Sequence, residues 1–238
     1  MILTVTMNPS IDTAYPLAGP LKVDDVNRVE PIKTAGGKGL NVSRVLGQLG
    51  DNVLATGLLG GRMGDFIADR LDECGVAHDF ARIAGESRVC IAVLHDGNQT
   101  EFLEAGPEVS GDELSGFGEK FRGLAARADV VTMSGSLPRG VDAGYYAELT
   151  GIAAGAGAKV LLDTSGASLD AALAAKAKPY LVKPNLTELS GLLGREFSPE
   201  RLDEVQDAVA SDERFAGVEW IVVSMGAAGS AAFHQGRA

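Results

Sequence analysis

An α/β fold is predicted: a largely parallel sheet with helices on both faces, three layers in all. Three observations predict it. Short β-branched runs alternate with helix-period segments along the 238 residues, the order that parallel sheets need. Hydrophobic residues make up 45% and charged residues 22%, the balance of a globular chain rather than a disordered one. The length suits one sizeable domain with a small appendage, or two small domains. No fixed-period repeat and no low-complexity linker interrupts the pattern.

The elements follow in order. Residues 2–7, 52–58, 130–133, 160–162, 180–182 and 220–223 are short apolar runs, read as buried strands. Between them lie amphipathic helices, one with Val42, Val45, Leu46 and Leu49 on a face, another with Phe66, Ile67, Arg70 and Leu71. Two segments break the alternation. Residues 12–34 hold Pro16, Pro20 and Pro31, with Val23, Val26 and Val29 among polar residues. Residues 87–104 read as two strands around Asp96-Gly97, a hairpin signal because a type I′ turn needs φ > 0 twice. Both segments are expected to build a small β-sheet lid over the carboxyl ends of the main strands, where open α/β sheets bind ligands.

Composition then limits the chemistry. The formal net charge is −11 without a basic block, which argues against a nucleic-acid partner. A small anionic substrate remains open, because a local cation outweighs distant acidic surface. Cys74 and Cys90 lack ligand spacing and are expected as reduced core thiols, in keeping with a cytoplasmic protein. The opening ILTVTM is too short for a signal or a membrane span. His78, His95 and His234 lie far apart and read as surface or loop residues. No GxxxxGK[ST], dinucleotide fingerprint, GxSxG or HExxH occurs, so an NAD-dependent oxidoreductase has little support.

Polar signals instead follow the strands. Asn8-Pro9-Ser10-Ile11-Asp12 is expected as a turn after the first strand that brings Asp12 out at the sheet edge. Ala35-Gly36-Gly37-Lys38-Gly39-Leu40-Asn41 places three glycines and a lysine before an apolar helix, whose opening amides suit an anion or hydroxyls. Ser134-Gly135-Ser136 follows another strand. Asn185 and Glu188 read either as a helix cap, a variant capping box, or as ligand contacts. Ser224-Met225-Gly226-Ala227-Ala228-Gly229 offers a glycine-bearing turn. Four of these loops, at residues 8–12, 134–138, 183–188 and 224–229, each follow a predicted parallel strand, and together they indicate a ligand cleft.

With NPSID, AGGKGLNVSRVLGQLG, SRVCIAVLHDGNQTE, VTMSGSLPRG, LLDTSGA, VKPNLTEL and IVVSMGAAGS in this order, the chain resembles the ribokinase-like sugar kinases. The likeness is to their phosphofructokinase B branch, over essentially the whole chain. Within it, tagatose-6-phosphate kinases are most similar and 1-phosphofructokinases nearby. The resemblance implies a single carbohydrate kinase domain over residues 1–238, a three-layer α/β/α ribokinase-like sandwich. Its small β-sheet lid often pairs with that of a second subunit. Also implied is transfer of the ATP γ-phosphoryl group, with Mg²⁺, to a phosphorylated ketohexose. Asp12, Gly36, Gly37 and Asn41 match sugar-hydroxyl contacts, and Lys38 and Arg88 the cations that hold the sugar's phosphate, with Ser136 on the substrate side. Lys183, Asn185, Ser224, Gly226 and Gly229 match the nucleotide side, and Glu188 the group that organises Mg²⁺ and its waters. The family's Gly-x-Gly-Asp motif, which carries the catalytic base, does not occur in the 238 residues. The resemblance places it beyond Ala238, so a domain incomplete at its C-terminus is expected. A sugar-phosphate-binding chain without turnover is the alternative.

Overall fold

A computed structural model describes residues 1–234; the last four residues of the expected domain, 235–238, lie outside the described residues. In chain order the first elements are β1 (Ile2–Thr6), β2 (Ser10–Pro16), β3 (Ile32–Gly36), α1 (Lys38–Gln48), β4 (Val53–Gly60) and α2 (Gly61–Glu73). Then come β5 (Ala81–Ile83), β6 (Arg88–His95), β7 (Asn98–Leu103), α3 (Gly111–Ala125), β8 (Val130–Ser134) and α4 (Tyr145–Gly155). The chain continues through β9 (Lys159–Asp163), α5 (Gly166–Ala174), β10 (Leu181–Val182), α6 (Leu186–Leu193) and α7 (Leu202–Ser211) to β11 (Trp220–Ser224) and β12 (Ser230–His234). Helices and strands alternate as the sequence predicts, and among the described residues no helix is long and apolar enough to cross a membrane.

Two compact units emerge. One comprises Thr6–Phe117 and Leu137–Val141. Its four-stranded sheet has the order β3-β2-β6-β7; β2 is antiparallel to β3 and parallel to β6, and β6 is antiparallel to β7. Because strand side chains alternate between faces, Ile11, its register partners Ala35 and Val89, and their neighbours behave alike. Ile11 and Ala35 are buried with Leu40, Ala55, Leu59, Ile67, Leu71 and Val76, and Val89 packs against them. Ser10, Asp12 and Arg88 consequently belong to the opposite face. Asp96 and Gly97, at φ 49° and 73°, form the two-residue turn between His95 and Asn98, the hairpin that Asp-Gly announces.

The other unit comprises Met1–Val5, Gly118–Ser136 and Asp142–Ala238. Its strands run in the order β12-β11-β10-β9-β8-β1. All neighbours are parallel except β11 and β12, so the sheet is mixed. Tyr146, Leu149 and Ala153 of α4, Leu169 and Leu173 of α5, Leu189 of α6 and Val205 of α7 supply buried apolar faces. Arg214 ties this unit together: it donates Nε and Nη2 to the Asp212 carboxylate at 2.9 and 2.8 Å and Nη1 to the Leu192 carbonyl at 2.8 Å. The Arg214 hydrogen bond holds the Asp212 carboxyl below the usual aspartate range.

Several expectations are corrected. Asp12 does not leave β1 in a turn; it sits inside β2, a strand that starts at Ser10 and pairs with β3, Ile32–Gly36. The face of Val42, Val45, Leu46 and Leu49 is not a buried face. Val45 is 54% and Leu49 73% exposed, while α1 buries Gly39, Leu40 and Ser43 at its start. Cys74 is exposed at the end of α2, whereas Cys90 is buried. The short β5, parallel to β4, has no counterpart among the predicted strands.

Candidate functional site

The expected substrate residues Asp12, Gly36, Gly37, Lys38, Asn41 and Arg88 all fall in the unit of the four-stranded sheet, where strand register brings Asp12, Gly36 and Arg88 together and Gly37, Lys38 and Asn41 follow Gly36 in the chain. Ser10 pairs with Gly36 on one side and Arg88 on the other, and Asp12 with Thr34 and Cys90. A Cβ added to Gly36 would lie 2.0 Å from the Asp12 Cγ and 2.2 Å from both carboxylate oxygens. The carboxylate therefore fills the space that any side chain at position 36 would need. Ser10 Oγ donates to Asp12 Oδ1 at 2.6 Å.

Arg88 is fixed at two points. Its Nε donates to the Asn8 carbonyl at 3.2 Å and its Nη1 to the Glu104 carbonyl at 2.8 Å. Those acceptors are themselves anchored: Asn8 Nδ2 donates to the Ala105 carbonyl at 3.0 Å, and the Val89 amide donates to the Glu104 carboxylate at 2.8 Å. Nη2 is the guanidinium nitrogen that these bonds leave for an anion.

Immediately after Gly36 the chain turns into α1. Gly37 is its N-cap at φ 104°, in the left-handed region open to glycine, and has no side chain with which to cap the helix. Lys38 is its exposed first residue and Asn41 stands one turn on. Asn41 accepts a hydrogen bond on Oδ1 from Arg44, which leaves its amide NH₂ as the outward group. The next helix also opens on a glycine. α2 opens after Gly60, and Glu86 accepts the Met63 amide at 2.5 Å, satisfying one of the donors that a helix start leaves over.

Ser136, Lys183, Asn185, Glu188, Ser224, Gly226 and Gly229 belong to the other unit. Ser136 is exposed beyond β8. Lys183 Nζ lies 3.2 Å from Asp163 Oδ2. Asn185 and Glu188 form a complete capping box on α6: the Glu188 amide donates to Asn185 Oδ1 and the Asn185 amide to Glu188 Oε2, both at 2.8 Å. Of the two readings open from sequence, the cap is thus realised, and it leaves Asn185 Nδ2 and Glu188 Oε1 for other partners. Asn185 also bridges Ser224, whose amide donates to the Pro184 carbonyl at 3.1 Å. Gly226 and Gly229, both at positive φ, close the tight turn between β11 and β12.

Sequence reasoning overlooked Ser10, Asn8, Glu104 and Arg44. A serine or asparagine beside proline reads as turn chemistry, and bonds across 80 residues, such as that of Arg88 to Asn8, leave no local signal.

A mixed α/β sheet with helices and an additional four-stranded β-sheet sets the fold class. Residues 5–238 match the pfkB family carbohydrate kinase description, and the chain belongs to that family: a phosphotransferase acting on a sugar hydroxyl, with the ribokinase-like fold. Phosphofructokinase-2 from Escherichia coli in complex with fructose-6-phosphate shares 28% identity at a TM-score of 0.84, over 98% of this chain and 76% of that one. A possible 1-phosphofructokinase from Thermotoga maritima shares 27% identity at a TM-score of 0.85, over 95% and 72%. Ribokinase from Arabidopsis thaliana, complexed with ribose and ATP, shares 23% at a TM-score of 0.71, over 100% and 75%, a likeness of fold.

Proposed function

We propose that the chain phosphorylates a ketohexose phosphate, with tagatose 6-phosphate as acceptor and ATP as donor, giving tagatose 1,6-bisphosphate and ADP. The observation that carries this reading is the rung on which Gly36, Ser10 and Arg88 pair, with Asp12 two residues along β2 and Lys38 and Asn41 following Gly36 in the chain. A carboxylate accepts hydrogen bonds from sugar hydroxyls, and the Asn41 amide donates to a sugar oxygen. Lys38 and the Arg88 fork neutralise the phosphate already on the sugar, where Arg gives geometry and Lys a point charge. The backbone amides of Gly36, Gly37 and the start of α1 approach the sugar because no Cβ intervenes. Ser136 assists on the substrate side.

On the nucleotide side, Lys183, Asn185, Ser224, Gly226 and Gly229 hold ATP. Among the described residues no cluster of three carboxylate, histidine or cysteine groups forms a metal cage. Mg²⁺ does not require one: it keeps several waters and takes one or two carboxylates plus substrate phosphates. Glu188, with Oε1 outside its cap, fits a water-mediated role of that kind, and the ion would supply charge neutralisation on the transferring group. The protein acts in the cytoplasm. It pairs with a second copy through the four-stranded sheet, where Ile32, Phe102 and Leu103 are 59%, 62% and 63% exposed; apolar surface of this kind marks interaction sites.

A second reading, phosphorylation of fructose 1-phosphate to fructose 1,6-bisphosphate, is favoured by the likeness to the Thermotoga protein. Titration calorimetry with tagatose 6-phosphate, fructose 6-phosphate and fructose 1-phosphate, paired with a coupled ADP-release assay, decides between them. Tagatose 6-phosphate is expected to bind most tightly, and Lys38→Ala to weaken it at low salt. Tightest binding of fructose 1-phosphate replaces the first reading by the second; binding of none removes both.

A further inference from the structure

We propose that Ser10 is a positioning residue for sugar recognition: its hydroxyl fixes the Asp12 carboxylate so that Oδ2 faces the sugar hydroxyls. This rests on the sugar-phosphate reading above and deepens it by naming what orients its key acceptor. Ser10 and Asp12 stand two residues apart on β2, hence on one face. The bond between Ser10 Oγ and Asp12 Oδ1 is 2.6 Å, the short range of a hydroxyl donating to a charged oxygen. Ser10 is 1% exposed, so bulk water does not compete for its hydroxyl.

The neighbouring groups show why such a clamp is needed. Gly36 provides the space for the carboxylate without selecting its rotation, since an added Cβ there would lie equally, 2.2 Å, from either oxygen. The terminal torsion of an aspartate is broad and roughly two-fold. Position 36 therefore admits the group and Ser10 orients it. The contrast with Glu86 sharpens the assignment. Its carboxylate crowds Gly61 in the same manner, 2.3 Å from an added Cβ, yet it spends its bond on the Met63 amide and so serves the helix. Asp12 takes its bond from a side chain on its own strand.

The test uses the full chain with Ser10→Ala and Ser10→Cys, the latter close in volume but a weak donor. Calorimetry with tagatose 6-phosphate and fructose 6-phosphate should show roughly ten-fold weaker binding for both variants, the scale of one lost hydrogen bond to a charged group. Inorganic phosphate, measured as a competitor, should displace the sugar with unchanged affinity, and the thermal midpoint of Ser10→Cys should match the parent. Undiminished sugar-phosphate binding in either variant overturns the proposal, as does an equal loss for inorganic phosphate. Failure of the parent chain to bind any of these sugar phosphates instead brings down the reading on which the proposal stands.

Discussion

Two helices of the same unit open on glycine pairs, Gly36-Gly37 just before α1 and Gly60-Gly61 at the cap and first residue of α2, and a carboxylate lies against a glycine of each pair. At α2 the carboxylate of Glu86 turns inward and takes the Met63 amide. At α1 the carboxylate of Asp12 takes the Ser10 hydroxyl, and a lysine occupies the helix's first position. The glycine pair is the same signal in both places; what differs is the carboxylate's partner, a backbone amide at α2 and a hydroxyl of its own strand beside α1.

The sharpest way to break this comparison is to put a methyl group at both turns. Gly36→Ala displaces the Asp12 carboxylate and should weaken sugar-phosphate binding about 100-fold, the scale of misplacing a binding group by about 1 Å. Its unfolding midpoint should move little, because the group that yields is a side chain. Calorimetry beside a urea titration reads both, and unchanged affinity removes Asp12 from the site. Gly61→Ala should do the reverse. At φ 61°, with Glu86 Oε2 2.3 Å from the new carbon, it should cost about 1–3 kcal/mol of stability and keep sugar-phosphate affinity within about two-fold; a ten-fold loss of affinity would erase the distinction.

The smallest effect is expected far from either turn. Asp212 is held below the usual aspartate range by its hydrogen bond to Arg214, against the opposing effect of burial. A carboxyl depressed in the folded state contributes stability that is complete above the ordinary aspartate range and disappears as pH falls through the folded value. Asp212→Asn should therefore be less stable at neutral pH by under about 1 kcal/mol, partial exposure screening the pair. The gap to the parent should close as the pH drops below the ordinary aspartate range. A gap independent of pH in thermal melts would show that packing, not charge, is responsible.

Much of the scaffold was legible because its signals are local. Asp96-Gly97 takes two positive φ values whatever surrounds it, and the β-branched runs at Val130, Val160 and Trp220 appear as strands close to their predicted bounds. The α1 face was misread for a physical reason: periodicity shows that Val45 and Leu49 share a side, not that anything covers it. β5 escaped notice because three residues with an arginine in the middle carry no pattern of their own. At the candidate site, Gly36, Lys38 and Arg88 stood out as motif residues, and the glycine–carboxylate overlap was invisible because positions 12 and 36 meet only when β2 pairs with β3. Ser10 was hidden by its type, since serine beside proline is ordinary turn composition.

The shared volume at positions 12 and 36 has an implication for how this sequence can change. A larger group at 36 must displace the acid at 12, and the acid keeps its present place only while position 36 lacks a side chain. Substitutions at the two positions are therefore expected to be non-additive, and libraries that vary one are best built with both codons randomised together.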